Sequence, residues 1–338
     1  MRAFGLASHG DWLISGWSSG ELVAWHVDVQ KVQNRLQQQV LTEQQKCAEG
    51  ATAVEEDPDE AENLDCVSFQ AHKNAIYAVS VVNDLVFTGA DEEIKVWSSP
   101  WDKQDGKCVV ELRIPQLEGS RKAKSAVAET NGLAILENGA KLVAAAGDSC
   151  AYVFDVERGV QVTCLSGHTD YLHAVSAHER TKTVVTGSED GTCKLWDLRL
   201  NADSCVSTFK CGDIVSAVEL SSDGNWLAVG GCRKNAGYVS MINMTARVET
   251  QTSACRGPSR RIQAISYAEG GLIVGGDSPV MEFWSRNAAS HIVNTPTSMS
   301  SIYSLETNKT SDLLYVGGSG KLIDVFSAER THMMSLHV

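Results

Sequence analysis

The chain has 338 residues, of which 43% are hydrophobic and 21% are charged, and its formal net charge is −13. A chain of this length buries enough apolar surface to fold without disulfides or a structural metal, and no apolar run approaches the roughly 18 residues that a membrane-spanning helix needs. The excess of acidic residues opposes binding to nucleic-acid backbones, because that affinity comes largely from Lys and Arg. We therefore expect a folded protein with no membrane segment, and the absence of a signal-peptide pattern at the N-terminus predicts an intracellular location.

A pattern of short strands repeats along the chain. Its clearest copy begins at Gly167 and His168, continues through a strand at 183–187 and a turn at 189–191, and ends at Trp196-Asp197. A histidine, alternating strands, a tight turn and a closing W-D pair are the signature of a WD-repeat blade in a β-propeller.

Weaker copies of this blade lie on both sides of it. Each has a glycine at the end of its second strand and a third strand that closes on a large apolar residue. The glycines are Gly16, Gly89, Gly147, Gly187, Gly230, Gly275 and Gly317, and the closing residues are Trp25, Trp97, Phe154, Trp196, Ile242, Trp284 and Phe326. Successive closing residues are 72, 57, 42, 46, 42 and 42 positions apart, whereas a four-stranded blade takes ~40–45 residues.

These units predict an all-β fold, a single seven-bladed WD-repeat β-propeller over residues 1–338. Residues 3–8 are expected to form the inner strand of blade one, and residues 331–338 the outer strand of blade seven. The ring would then close by packing of two blade faces, without a shared sheet.

Two insertions explain the longer spacings. In residues 28–66, which interrupt blade one, the apolar residues fall three or four apart and so place one stripe on a short amphipathic helix. They are Val29, Val32, Leu36 and Val40. The second half of this insertion is acidic and has no apolar content to pack, so we expect a disordered loop there. The helix either folds back on its own blade or docks a partner helix. Residues 98–125 are expected to form a second, loop-like insertion.

The polar residues of the two best blades predict buried hydrogen-bond chains of the kind found in WD repeats. The chains are His72, Thr88, Asp91 and Trp97 in blade two, and His168, Thr186 (or Ser188), Asp190 and Trp196 in blade four. Such a chain avoids the desolvation cost of roughly 1–3 kcal/mol for each orphaned polar group. Although histidine, hydroxyl and aspartate also suggest a catalytic triad, we interpret these residues as structural.

Several motifs match catalytic or ligand sites, but their context does not fit. Residues 16–20 satisfy G-x-S-x-G and residues 317–321 resemble a phosphate-binding loop, yet both fall at predicted hairpin turns rather than at strand-to-helix turns. No two of the ten cysteines form a C-x-x-C pair and no histidine belongs to H-E-x-x-H, so we expect no metal site. The sequence predicts no catalytic residues, no cofactor and no enzymatic activity.

One cluster of basic residues stands out against the acidic background. It consists of Arg256, Arg260 and Arg261, and we consider it a candidate for a weak contact with RNA or with a protein.

Four stretches together carry a more specific resemblance. They are residues 67–72, 165–173, 196–199 and 323–326, which read V-S-F-Q-A-H, L-S-G-H-T-D-Y-L-H, W-D-L-R and I-D-V-F. With the overall blade pattern, they resemble the THO complex subunit 6 family of WD-repeat proteins. This resemblance implies a non-enzymatic nuclear scaffold in mRNA processing and export, one that binds the coiled-coil THO subunits 5 and 7 and associates with mRNA indirectly.

An alternative function stays open at this point. Residues 196–199 also fit the W-D-x-R motif of substrate receptors for cullin-type ubiquitin ligases, in which Asp197 and Arg199 would contact the ligase adaptor.

Overall fold

The computed structural model of the protein describes residues 1–28, 31–32, 34, 65–98, 106–115, 128–200, 205–254, 259–268, 271–285, 292–308 and 312–338. These residues form seven antiparallel sheets of four strands each. The prediction of an all-β, seven-bladed propeller is therefore confirmed. Within the described part of the chain, no helix is long and apolar enough to cross a bilayer.

Each blade contributes four consecutive strands, from the innermost to the outermost. The first three blades contain β1 (Ala3–His9), β2 (Trp12–Trp17), β3 (Glu21–His26) and β4 (Cys66–Gln70); β5 (Ala78–Val82), β6 (Leu85–Gly89), β7 (Glu93–Ser98) and β8 (Lys107–Arg113); and β9 (Thr130–Leu136), β10 (Lys141–Ala146), β11 (Cys150–Asp155) and β12 (Val160–Ser166). A short 3-10 helix, Glu137–Gly139, joins β9 to β10.

The other four blades follow in the same order. They contain β13 (Leu172–His178), β14 (Thr183–Ser188), β15 (Thr192–Asp197) and β16 (Cys205–Lys210); β17 (Ile214–Leu220), β18 (Trp226–Arg233), β19 (Ala236–Asn243) and β20 (Val248–Ala254); β21 (Ile262–Ala268), β22 (Gly271–Gly276), β23 (Val280–Ser285) and β24 (Ile292–Pro296); and β25 (Ile302–Asn308), β26 (Leu313–Gly318), β27 (Leu322–Ser327) and β28 (His332–His337). The inner strands β1, β5, β9, β13, β17, β21 and β25 contact one another in a closed ring.

The second strand of each blade lies between two neighbouring blades, which explains its nearly continuous apolar sequence. In β10 the residues after Lys141 are all buried, and β22 and β26 are buried throughout. The outer strands face solvent on one side and alternate accordingly, as in β8. Burial on both faces thus produces the apolar runs, and burial on one face produces the alternation.

The recurring glycines mark the points where one blade meets the next. A Cβ atom on Gly187 would lie 2.6 Å from Cγ1 of Val215, which begins the inner strand of the following blade. On Gly275 it would lie 2.5 Å from Cγ2 of Ile302. The same close approach is made at Gly16 to Ile76, at Gly89 to Thr130, at Gly147 to Tyr171 and at Gly230 to Ile265. At Gly317 the nearest atom is Oγ of Ser304 in the same blade, at 2.5 Å, and Cδ1 of Leu6 in blade one follows at 3.0 Å. The glycines that define the repeat are therefore required by packing between blades.

Blades one and seven close the ring through a shared core. Leu6 and Trp17 of blade one belong to the same buried cluster as Tyr315 and Val325 of blade seven. The two blades keep separate sheets, as expected. The junction also contains an antiparallel bridge between Arg2 and Ser319.

Most of the insertion at 28–66 lies outside the described residues, including Val29, Leu36, Val40 and the acidic stretch. Lys31, Val32 and Asn34 are helical, and the Asp28 carboxylate accepts a hydrogen bond from the backbone N–H of Lys31 at 3.1 Å. Val32 is 8% exposed and packs in the shared core of blades one and seven. This first turn therefore folds back on its own blade.

The expectation that 98–125 is a loop is wrong for its middle part. Lys107–Arg113 forms β8, the outer strand of blade two, and buries Leu112 opposite Ile94. The alternation of a single buried side chain among exposed ones is weak in an outer strand, so the backbone pairing with β7 decides this structure.

We expect Gly187→Ala to destabilise the propeller by about 1–3 kcal/mol, because the added methyl group overpacks a contact with buried Val215. Chemical denaturation monitored by tryptophan fluorescence measures the effect. Gly159→Asn is the matched control: Gly159 has φ +66° and nothing within 4 Å of its ideal Cβ, so a change of no more than about 0.5 kcal/mol is expected. Equal stability of wild type and Gly187→Ala would contradict the role assigned to this glycine.

Candidate protein-interaction surface

The four polar residues predicted in blade four form one connected chain. The His168 ring lies 2.8 Å from Asp190 through Nδ1 and 2.8 Å from the Thr186 hydroxyl through Nε2. Trp196 donates its indole N–H to the same hydroxyl at 2.8 Å. Ser188, the alternative to Thr186, donates instead to the backbone carbonyl of Asp170.

Blade two has an equivalent chain with a different acid. His72 lies 2.7 Å from the Thr88 hydroxyl, and Trp97 donates to that hydroxyl at 2.9 Å. The other ring nitrogen of His72 lies 3.0 Å from Glu93. The prediction that Asp91 is the acid of this chain is therefore wrong.

The physical reason for this exchange is the length of the hairpin between the second and third strands. In blade two, Gly89 pairs with Ile94, whereas in blade four Gly187 pairs with Cys193. The turn of blade two is thus one residue shorter, and the carboxylate that reaches the histidine comes from the first residue of the third strand. Asp91 instead forms a backbone bridge with Glu129 of blade three.

The electrostatics of both chains favour a charged acid beside the histidine. Burial opposes the negative charge of Asp190, but hydrogen bonds from His168, Thr192 and the Thr169 backbone outweigh it and hold the pKa of Asp190 well below its usual value. The pKa of Glu93 is also lowered, because contacts with Lys95 and His72 outweigh its burial. Burial lowers the pKa of His72 despite its bond to Glu93.

This arrangement holds the sheet together and offers no nucleophile. The side chains of Thr88 and Thr186 are fully buried and each accepts an indole N–H, so their hydroxyls are inaccessible to a substrate. Of the two motifs that match catalytic loops, residues 16–20 connect β2 to β3 and residues 317–321 connect β26 to β27. Both are hairpin connections. The described residues contain no group of three or more His, Cys, Asp or Glu that could hold a metal ion.

Asp197 and Arg199 of the W-D-x-R motif bind each other at the end of β15. Arg199 donates from Nε at 2.9 Å and from Nη2 at 2.6 Å to the two carboxylate oxygens of Asp197. The Arg199 side chain is 64% exposed, and its hydrogen bonds lower the pKa of Asp197. The guanidinium donors of Arg199 that would bind an adaptor are thus already paired with Asp197.

The three arginines of the basic cluster differ in their surroundings. Arg256 lies outside the described residues, and Arg260 is exposed. Arg261 of blade six reaches across to blade four, where its Nη2 lies 2.8 Å from Nε2 of His173. Its Nε donates to Ser216 of blade five at 3.1 Å. Arg261 therefore has internal partners at the end of the central channel.

That end of the channel carries a ring of residues that the sequence reading missed. In six blades the inner strand has a β-bulge near its start, which inserts one extra residue opposite the second strand. These residues are Phe4, Asn131, His173, Ser216, Gln263 and Tyr303. Tyr77 takes the same place in blade two, where its N–H donates to Gly89. Bulges re-aim side chains at functional surfaces, and we call these seven residues the mouth ring.

The mouth ring is divided into an aromatic side and a polar side. The ring of Phe4 lies 5.6 Å from that of Tyr77 and 5.5 Å from that of Tyr303, between centroids. We call these three residues from blades seven, one and two the aromatic arc. On the other side, Asn131, His173 and Ser216 bond to groups of other blades.

Two carboxylates adjoin the aromatic arc. Burial and the charges of Asp91 and Glu129 together raise the pKa of the Tyr77 phenol to about 12. The pKa of Glu129 is raised as well, by burial and by the charge of Asp91. Tyr171 donates its hydroxyl to Glu129. Two acidic side chains, Asp91 and Glu129, therefore lie together at the boundary between blades two and three.

Sequence comparisons place this propeller among known proteins. Residues 65–98, 159–197 and 203–235 match the family described as WD domain, G-beta repeat. THO complex subunit 6 of Arabidopsis thaliana is 33% identical over 286 residues, which cover 78% of this chain and 74% of that protein. The chain belongs to the THO complex subunit 6 family. Relatives in this family include the zebrafish homologue (Danio rerio), 26% identical over 85% of this chain and 88% of that protein, and the human protein, 24% identical over 82% and 81%.

Family membership agrees with the architecture described above. WD40 propellers are generally non-catalytic scaffolds, and the THO complex subunit 6 relatives span most of the present fold. Most of the mouth ring could have been found from sequence by aligning the blades, because five of its residues directly follow the first residue of an inner strand, as in Ile302-Tyr303 and Leu172-His173.

Replacing the shared hydroxyl should show what the chain of blade four contributes. Thr186→Val preserves shape but leaves His168 and Trp196 without their common partner, at about 1–3 kcal/mol for each buried group. Urea unfolding measures the loss. Thr163→Val on β12 is the control and should change stability by no more than about 0.5 kcal/mol. If both variants unfold at the same urea concentration as wild type, the chain does not stabilise the blade.

Stability should also depend on pH through His72. The histidine pKa is near 6.5 in an unfolded chain and is lowered in the fold. Below about pH 6.5 the unfolded state binds more protons, so stability falls as the pH falls. The lowered pKa values of Glu93 and Asp190 add a further loss below about pH 4.5, near the ordinary carboxyl values.

We expect the Tm of wild type to fall between pH 7 and pH 5.5 and the fall to be smaller in His72→Gln. Differential scanning calorimetry at a series of pH values provides the measurement. His337→Gln changes an exposed histidine on β28 and should retain the wild-type slope. Parallel slopes for wild type and His72→Gln would rule out this role for His72.

Proposed function

We propose that this protein is a non-enzymatic scaffold of the THO complex that acts in nuclear mRNA processing and export. The observation that supports this function best is the similarity to THO complex subunit 6 proteins over most of the chain. A rigid ring of seven sheets with loops on both ends suits such a role, because it presents several surfaces without conformational cost.

The coiled-coil THO subunits 5 and 7 are the partners that we propose. A propeller binds an amphipathic helix through an apolar groove or through a docking element of its own. Of the stripe Val29, Val32, Leu36 and Val40, the side chain of Val32 is buried in the protein's own core. We therefore assign partner docking to the part of the insertion that follows it.

Association with mRNA is proposed to be indirect. Arg261 is bound to Ser216 and lies against His173, which leaves Arg260 and Arg256 as the remaining members of the basic cluster. Carboxylates at the channel mouth and a net charge of −13 oppose a phosphate backbone.

The role of substrate receptor for a cullin-type ligase ranks second. The exposed guanidinium of Arg199 favours it, but the bidentate pair with Asp197 occupies the donors that adaptor recognition would use. An adaptor would have to break this ion pair, although a partly exposed pair contributes little free energy.

Affinity purification of the tagged chain from nuclear extract, with and without nuclease, tests the proposal. We expect nuclease-resistant recovery of THO subunits 5 and 7. Deletion of residues 35–64 should remove most of both subunits from the purified material. Arg199→His serves as the matched variant and should leave this recovery unchanged.

Two outcomes would contradict the scaffold role in the THO complex. One is the absence of THO subunits under native conditions. The other is recovery of a cullin adaptor that Arg199→His abolishes, which would support the ligase function instead.

A further inference from the structure

The aromatic arc is not part of the hydrophobic core of the protein. Phe4, Tyr77 and Tyr303 are each partly exposed, and none of them belongs to the buried clusters that join the blades. Three rings from three successive blades nevertheless converge to centroid distances of 5.5 and 5.6 Å. Aromatic faces grouped in this way at a concave surface attract cations.

The arc already holds one cation at its edge. Arg2, an exposed residue, places its Cζ 5.9 Å from the centroid of the Tyr303 ring. This contact shows that the Tyr303 ring accommodates a guanidinium group.

Two acidic residues, Asp91 and Glu129, lie at the opposite edge of the arc, beside Tyr77. Asp91 has one carboxylate oxygen buried without a hydrogen-bond partner, and its backbone bridge with Glu129 keeps the two acids adjacent. In the described part of the chain, Glu129 accepts from the phenol of Tyr171 and forms no ion pair, and neither does Asp91. Burial is the main cause of the raised pKa values of Glu129 and Tyr77, and the charge of Asp91 raises both further.

Access to this edge is open from solvent. Asp91 also lines a cavity on blade two, whose other charged residues are Glu92, Glu93, Lys73, Lys95 and Arg113. On the far side of the mouth ring, by contrast, Nε2 of His173 lies 2.8 Å from Arg261 and 3.0 Å from Glu189, and these side chains occupy the space. A ligand would therefore enter on the side of blades seven, one and two.

We propose that the mouth ring binds a basic segment of a partner protein, with a lysine or arginine side chain placed between the aromatic arc and the Asp91–Glu129 pair. The arc supplies cation–π contacts and the two acids supply the counter-charge. A protein partner fits better than RNA, because the same carboxylates repel phosphate groups. This inference deepens the proposed scaffold role, since it assigns a surface and a chemistry to one of its partners.

The test uses the purified full chain and a fluorescein-labelled hexa-arginine peptide, with binding followed by fluorescence anisotropy at physiological salt. In the double variant Asp91→Asn/Glu129→Gln we expect Kd to rise about ten-fold or more, as for loss of charge-assisted contacts. Phe4→Leu retains an apolar side chain but removes the ring, and it should raise Kd about five-fold through the lost cation–π contact.

A control variant with the same change in net charge distinguishes a specific site from general attraction of the peptide to an acidic protein. Glu111→Gln/Glu157→Gln neutralises two exposed acids, on β8 and at the turn before β12, and should change Kd less than two-fold. Equal weakening in both double variants would overturn the proposal, as would failure of wild type to bind the peptide. Binding of a twelve-nucleotide RNA that the arc variant weakens would identify a nucleic-acid surface and overturn it as well.

Hydrogen exchange of the wild-type chain keeps the proposal testable if a variant fails to fold. Hexa-arginine should protect residues 1–9, 74–82 and 300–308, and protection confined to other segments would contradict the site. Recovery of THO subunits by Phe4→Leu in the nuclear purification would show that the scaffold role stands even where this surface fails.

Discussion

The blades of this propeller pack into a ring because the second strand of each blade has a glycine at the position that contacts the next blade. At Gly187 and Gly275 the inner strand of the following blade comes so close that a Cβ atom would overlap a buried valine or isoleucine. Close packing of this kind leaves little room for adjustment. The glycine thus sets the distance and angle between neighbouring blades, and its repetition allows seven sheets to close on themselves. The last contact, between Gly317 and Leu6, joins blade seven to blade one through a common core.

A second constraint fixes the strands inside a blade. The hydroxyl of Thr186 or Thr88 receives an indole N–H from the third strand and meets a histidine from the loop before the inner strand. Three parts of one blade are therefore joined at a single buried atom. The acid completes the chain from whichever turn position reaches the histidine, which is Asp190 in blade four and Glu93 in the shorter turn of blade two. A rigid frame of this kind is what a scaffold needs to present loops at fixed positions.

The functional asymmetry arises at the end of the channel, where the blades stop being equivalent. Every inner strand begins near this end, and in six of the seven blades a bulge places one residue there. Blades three, four and five use these positions for polar contacts with other blades, whereas blades seven, one and two carry aromatic rings beside two acids. The THO complex subunit 6 family membership and the mouth ring are thus separate observations, one from similarity over the chain and the other from local chemistry.

The sequence by itself determined the fold, the seven blades, the four residues of the chain in blade four and the family. The blade features repeat along the chain, and a repeated pattern can be recognised because each copy must satisfy the same packing. Tertiary structure alone decided three other matters. It replaced Asp91 by Glu93, because a hairpin one residue shorter changes which side chain faces the histidine. It showed β8 within a stretch expected to be a loop, because backbone pairing with β7 orders a strand whose own pattern is weak. It also brought Phe4, Tyr77 and Tyr303 together, because residues up to about 300 positions apart become neighbours only when blade seven meets blade one, and no local periodicity records which ends of a ring will touch.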